Sequence, residues 1–174
     1  LGIGLVIWNS LAASLQTAPN MLRLNSDKVK NFNIHPIYYT LEEWAFQVQT
    51  FLQSFALVIL ALSFYNHTLI YNLITTGIIP VINLLVFMYW SPLLLCMAGA
   101  YFEDLYQLIP VGIQLMFLLS PILYQKSSLG SMQWTADLNP IYRVLSSLRQ
   151  SLISGNVTNW QIATMLAINF AGLI

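Results

Sequence analysis

Of 174 residues, 57% are hydrophobic and only 7% are charged, with six basic residues balancing six acidic ones. A soluble domain carries about 25% charged residues, because a surface facing water needs them. This composition excludes an ordinary water-soluble domain and gives no reason to expect nucleic acid among the partners. Lipid is the expected solvent for most of the chain.

No Asp, Glu, Lys or Arg occurs in residues 1–22, 44–102, 105–125 or 150–174. A membrane-spanning helix needs roughly 20 mainly apolar residues, and backbone polar groups cannot stay open in hydrocarbon. The expected fold class is therefore an all-α integral membrane protein, a polytopic helical bundle of about five spans. The alternation that marks a membrane β-barrel is missing. The chain starts without Met and stops inside an apolar stretch, and is expected to be a piece of a longer protein.

The first expected helix covers residues 1–22, interrupted by Asn9, Ser10, Gln16 and Pro19. A polar connection over 23–40 holds Arg23, Asp27, Lys28, Lys30 and then His35-Pro36, where Pro36 disfavours helix at His35. Glu42 and Glu43 are expected to open a helix over 42–64, since acidic residues complement the dipole of a first turn. After a turn at Asn66-His67, a helix over 69–100 contains Gly77, Pro80, Asn83 and Pro92, which predicts kinks. Cys96 lies in its apolar run as a lone thiol, too little for a disulfide framework or a metal site. Glu103-Asp104 marks a polar turn before a helix over 105–124.

Residues 125–158 differ in kind. Asn139-Pro140 reads as a helix start, with Asn capping and Pro in the first helical position. Ile141, Val144, Leu145, Leu148 and Leu152 then fall on one face, with Arg143, Ser147 and Gln150 largely opposite. Gly155 supplies a stop. The amphipathic helix suits a place at the membrane interface or a partial dip into it. In the final helix, over 159–174, Ala163, Ala167 and Ala171 form a small-residue stripe that permits close packing. Alternation puts 23–40 and Glu103-Asp104 on one side, and Asn66-His67 and 125–158 on the other. The positive charges tie: Arg23, Lys28 and Lys30 against Lys126, Arg143 and Arg149.

There is no phosphate-binding glycine loop, no HExxH motif and no ionisable group inside the expected spans. A membrane-embedded enzyme needs such groups. Interfacial belts account for Trp44, Tyr124, Trp134 and Trp160. Trp8, Tyr89, Trp90 and Phe117 are candidates for a path along which sugar rings stack on flat apolar faces.

One long run carries a resemblance. Phe102-Glu103-Asp104-Leu105-Tyr106-Gln107-Leu108-Ile109-Pro110, followed by Gln114-Leu115-Met116-Phe117-Leu118-Leu119-Ser120-Pro121-Ile122-Leu123-Tyr124, resembles the permease subunits of ABC-2 type exporters for polysaccharides and polyol phosphates. Leu138-Asn139-Pro140, Arg149 and Leu152 to Gly155 are similar to the next block of that family, and residues 1–9 to an earlier one. Two departures stand out. Glu103 replaces the usual Arg, so a role at that turn transfers only to Asp104. The family's "FP" after the first cytoplasmic loop is blurred into residues 32–36.

The resemblance implies a single ABC-2 transmembrane domain that pairs as a homodimer. It implies no active site, metal or cofactor in this chain, with ATP and Mg²⁺ held by separate cytoplasmic ATPase subunits. Lys28, Lys30, His35, Pro36 and Asp104 are the candidate ATPase contacts. Asn139, Pro140, Arg143 and Arg149 are the candidate outer gate. The expected function is export of a lipid-linked polysaccharide such as O-antigen, capsule or teichoic acid across a bacterial or archaeal cytoplasmic membrane. The alternatives are an ABC-2 exporter of a drug or small lipid, and a membrane-embedded enzyme or scaffold of glycan assembly.

Overall fold

The computed structural model describes residues 2–27, 35, 37–102, 104–120, 139–156 and 159–173. Every regular element among them is helical. In chain order they are α1 (Gly2–Thr17), a 3₁₀ turn (Ala18–Asn20), α2 (Met21–Leu24), α3 (Ile37–Ser63), α4 (Thr68–Asn72), a π turn (Leu73–Gly77), α5 (Ile78–Tyr101), α6 (Leu105–Leu119), α7 (Pro140–Ser154) and α8 (Asn159–Leu173).

Two helices are long and apolar enough to cross a bilayer by themselves. They are α3 and the continuous Thr68–Tyr101 helix, of 27 and 34 residues. At about 1.5 Å per residue both exceed the ~30 Å hydrocarbon core. By the same rise α6, of 15 residues, is shorter than that core. Pro19 lies in the 3₁₀ turn that ends α1.

Helix α3 starts five residues before the expected position, at Ile37. His35 Nδ1 accepts from the Ile37 N–H at 3.4 Å, and the Tyr38 N–H donates to the His35 carbonyl. Glu42 and Glu43 consequently lie in the second turn, where they no longer meet the exposed N–H groups. The π turn ends at Gly77, three residues before Pro80. Proline has no N–H to offer the carbonyl four residues back, and its ring crowds that turn; widening to π geometry relieves both. Of the positions expected to kink the helix, the π turn falls at Gly77, while the helix continues regularly through Asn83 and Pro92.

A continuous core joins α1, α3, α5 and α7. Ile7, Phe51, Leu84, Val144, Leu145, Leu148 and Leu152 are all 0% exposed. Phe51 stacks on Phe55 at 5.1 Å between ring centroids. Helix α7 forms as expected. Asn139 Oδ1 accepts from the Ile141 and Tyr142 N–H groups, and Gly155 ends the helix at φ 66°. Its apolar stripe turns into the bundle rather than lying flat on its edge.

The helix interiors carry paired uncharged polar groups. Asn169 Nδ2 donates to the Asn83 carbonyl (3.0 Å) and Oδ1 (3.2 Å), while Trp90 Nε1 donates to Asn169 Oδ1 (2.9 Å). This network fixes α8 against α5. The Ala163–Ala167–Ala171 stripe stays exposed, and α8 packs instead through Met165, Asn169 and Gly172, on which Trp90 lies.

Candidate functional site

Helices α1 and α6 pack so that Trp8 meets Phe117, with ring centroids 5.4 Å apart and planes at 48°. Beside this pair runs a groove of about 530 Å³, lined by Asn9, Ala12, Ala13 and Gln16 from α1 and by Ile113, Gln114 and Leu118 from α6. Helical geometry explains the lining. Asn9 and Gln16 are seven residues apart and share a face. Ala12 and Ala13 between them are small, so the floor stays low.

Asn9, Gln16 and Gln114 are exposed, and none of their amides bonds to a described residue. Transfer of an amide from water to a hydrocarbon without a partner costs about 4–8 kcal/mol. Three such amides would cost on the order of a whole domain's stability, roughly 5–15 kcal/mol. A chain that folds in a membrane therefore does not turn this groove toward lipid tails. Stacking surface beside open amide donors and acceptors is chemistry suited to a polyhydroxylated ligand.

The four candidate path aromatics divide. Trp8 and Phe117 share the groove. Tyr89 lies elsewhere, edge-on to Trp44 at 5.7 Å, and Trp44 Nε1 donates to the Leu85 carbonyl. Trp90 packs edge-on against Phe87 at 5.1 Å and is tied to Asn169. Of the groove's lining, the sequence singled out the two rings as path candidates and named Asn9 and Gln16 only as interruptions of the first helix. The seven-residue spacing of Asn9 and Gln16 was the available signal.

One end of the bundle gathers the described candidates for partner contact. Pro19, Asn20 and Arg23 face Gly99, Ala100 and Tyr106 around a notch of about 320 Å³. Gly99 permits this approach, since a Cβ there would lie 2.3 Å from the Pro19 carbonyl oxygen. At the same end Thr17 Oγ1 and Gln47 Nε2 both donate to Glu43 Oε1, tying α1 to α3. Asp104 and His35 are exposed, and the Asp104 side chain does not cap α6. Lys28, Lys30, Pro36 and Glu103 lie outside the described residues, as do residues 121–138.

The candidate gate residues are all on α7 or its cap. Asn139, besides capping, donates through Nδ2 to Ser120 Oγ at 2.8 Å, joining the end of α6 to the start of α7. Arg149 lines a shallow groove of about 300 Å³ with Tyr142, Ser146, Gln150 and Ser154. At its other end, α7 is held by the end of α4 and by the π turn. Asn72 Nδ2 donates to the Leu152 carbonyl (3.0 Å) and Thr76 Oγ1 to the Ser151 carbonyl (3.2 Å). No group of three or more His, Cys, Asp or Glu side chains among the described residues could hold a metal ion.

A comparison with curated proteins gives no significant match. The sequence model of the ABC-2 type transporter family matches residues 1–153. That match spans most of the chain and agrees with the apolar helices. The chain therefore belongs to the ABC-2 type transporter family, as a membrane component of a transporter that normally works with ABC ATPase partners.

Proposed function

We infer that this chain is the permease subunit of an ATP-driven exporter that moves a lipid-linked polysaccharide outward across the cytoplasmic membrane. The observation that supports it best is the α1–α6 groove, where three exposed amides flank the Trp8–Phe117 pair. Amides exchange hydrogen bonds with sugar hydroxyls, and ring faces accept pyranose rings. Neither contact is strong. A path must bind well enough to admit a chain and weakly enough to let it advance.

On this reading the subunit is a multi-pass protein with about five spans in this stretch, paired with a second copy of itself. Two ATPase subunits hold ATP and Mg²⁺ on the cytoplasmic side. Their closure reaches the permease through the connection after Arg23, through His35 and through Asp104. The helices then shift between two packings, with α7 beside the outer mouth. Surrounding lipid completes the set of partners.

The test replaces Asn9, Gln16 and Gln114 together with Leu in the full-length protein and measures surface glycan in cells lacking the natural copy. Surface glycan is expected to fall about tenfold or more, on the loss of several hydrogen bonds worth roughly 0.5–1.5 kcal/mol each. The amount of folded protein should stay unchanged, because these amides make no hydrogen bond to a described residue that the substitution would break. Unchanged export from normally folded protein would remove the groove from the path. A variant that stops a drug or small lipid instead, with glycan intact, would favour the small-molecule branch of the family.

A further inference from the structure

Two apolar clefts open on the sides of the bundle, and they differ in what they adjoin. One, of about 570 Å³, runs between α3 and the Thr68–Tyr101 helix, with Leu52, Leu60, Ile78 and Ile82 among its walls. Its walls share no residue with the amide groove. The other, of about 320 Å³, lies between α5 and α6 and is lined also by Leu15 of α1 and by Pro140 and Ile141 of α7. Leu94 and Met116 at its edges are 48% and 40% exposed, so it opens sideways.

This second cleft abuts the amide groove. Ile113 is a wall of both, and the neighbouring α1 residues Leu15 and Gln16 face one each. Gly112 lines the cleft, and a Cβ added there would meet nothing within 4 Å. The glycine is not required by helix packing at this point, and what it contributes is space.

We propose that the α5–α6 cleft over Gly112 seats the hydrocarbon tail of a glycolipid whose sugar head lies in the Trp8–Phe117 groove. The inference rests on the export reading for its head group and goes beyond it by giving the tail a place. Hydrophobicity cannot select this occupant, because lipid tails are as apolar as the cleft walls. Some chain fills the cleft in any bilayer, since an empty apolar void forfeits dispersion contacts. Selection must come from tethering. A tail whose head is held in the adjoining groove competes at a raised effective concentration, while a phospholipid tail does not. The α3–α5 cleft lacks such a tether and takes tails without preference. Because Pro140 and Ile141 line it, an occupant also touches the first turn of α7.

The experiment uses full-length protein in nanodiscs of phosphatidylethanolamine and phosphatidylglycerol. Two photoreactive probes share one diazirine-bearing tail. One carries an uncharged disaccharide head, the other a phosphoglycerol head. Labelled residues are mapped by mass spectrometry. The disaccharide probe is expected to label Leu94, Leu95 and Met116 about tenfold more than the phosphoglycerol probe, with equal labelling of the α3–α5 cleft by both. Gly112→Leu should abolish the excess by filling the cleft. Asn9→Leu with Gln114→Leu should abolish it by releasing the head, with the cleft itself intact.

Equal labelling of the α5–α6 cleft by both probes would overturn the proposal, and this arm needs no variant to fold. An excess that survives both Asn9→Leu with Gln114→Leu and Gly112→Leu would overturn it too. Surface-glycan measurement on the same variants separates the two ideas. Head-selective labelling without any effect of Asn9 and Gln114 on glycan export would keep the tail site and sink the export reading. Loss of export without head-selective labelling would do the reverse.

Discussion

Gly99 and Gly112 make opposite predictions from the same substitution. At Gly99 an added Cβ would lie 2.3 Å from the Pro19 carbonyl oxygen and 2.7 Å from its Cα. Both are backbone atoms of a turn packed on α5, so neither can swing aside. Gly99→Ala is expected to destabilise the fold by more than about 2 kcal/mol, as overpacked sites do, and to lower the melting temperature of the purified full-length protein. Gly112→Ala meets open space and gains helix propensity, so it should be neutral or stabilise by up to about 1 kcal/mol. A neutral Gly99→Ala would show that the Pro19 turn does not sit on α5.

The residue scale is also where the sequence was least explicit. Asn139, Pro140 and Gly155 declared themselves, because a cap is a local event set by adjacent residues. Asn83 and Asn169 did not. Their meeting spans 86 positions, and an amide in an apolar helix looks the same whether it is paired or open. Trp90 was read as a path aromatic for the same reason: its ring was visible in the sequence, and its bond to Asn169 was not. Asn169→Leu strands the Trp90 N–H and the Asn83 amide together. The expected loss is about 1 kcal/mol, near the range for interhelical bonds in membranes, read by melting of the purified protein. Adding Asn83→Leu should then cost little more, since its partner is already gone.

At the scale of elements, α7 tests how far a hydrophobic stripe can be read. Its face was legible because 3.6-residue periodicity is a property of the segment alone. Its placement was not, since one narrow apolar stripe serves a bilayer edge and a protein interior equally well. What decides is polar bonding at its ends. Ser120 joins the Asn139 cap, and Asn72 and Thr76 take up carbonyls at the far end. Replacing Asn72 with Leu and Thr76 with Val removes both donors from the last turn. A loss of about 1–2 kcal/mol is expected, seen as roughly tenfold faster hydrogen exchange at Leu152, Ile153 and Ser154. Amides in the middle of α3 should exchange as before. Unaltered exchange in α7 would mean that core packing alone holds it. Helix α3 carries a related lesson. Pro36 was read only for what it forbids at His35, although proline just before an apolar run also suits a helix start.

At the scale of the molecule, the two ends of the bundle differ in ways that bear on a partner. One end brings Arg23 and Tyr106 around a notch, ties Thr17 to Glu43 across α1 and α3, and leaves Asp104 exposed. At the other end Asn66 makes a local turn, its Oδ1 accepting from both the N–H and the hydroxyl of Thr68. Family membership brings the expectation of a cytoplasmic ATPase, and the first end has the exposed charge to meet one. Exposed interfacial charges act chiefly on association rate and specificity. Asp104→Lys and Arg23→Glu should therefore each weaken capture of the cognate ATPase by the full-length permease, by about tenfold at low salt, with the difference shrinking as salt screens it. His67→Glu, at the opposite end, should leave capture unchanged. If His67→Glu released the ATPase while Asp104→Lys did not, the assignment of cytoplasmic and outer ends would be inverted. Arg143 and Arg149 would then stand on the inner side, and the balanced count of positive charges would be resolved against the orientation adopted here.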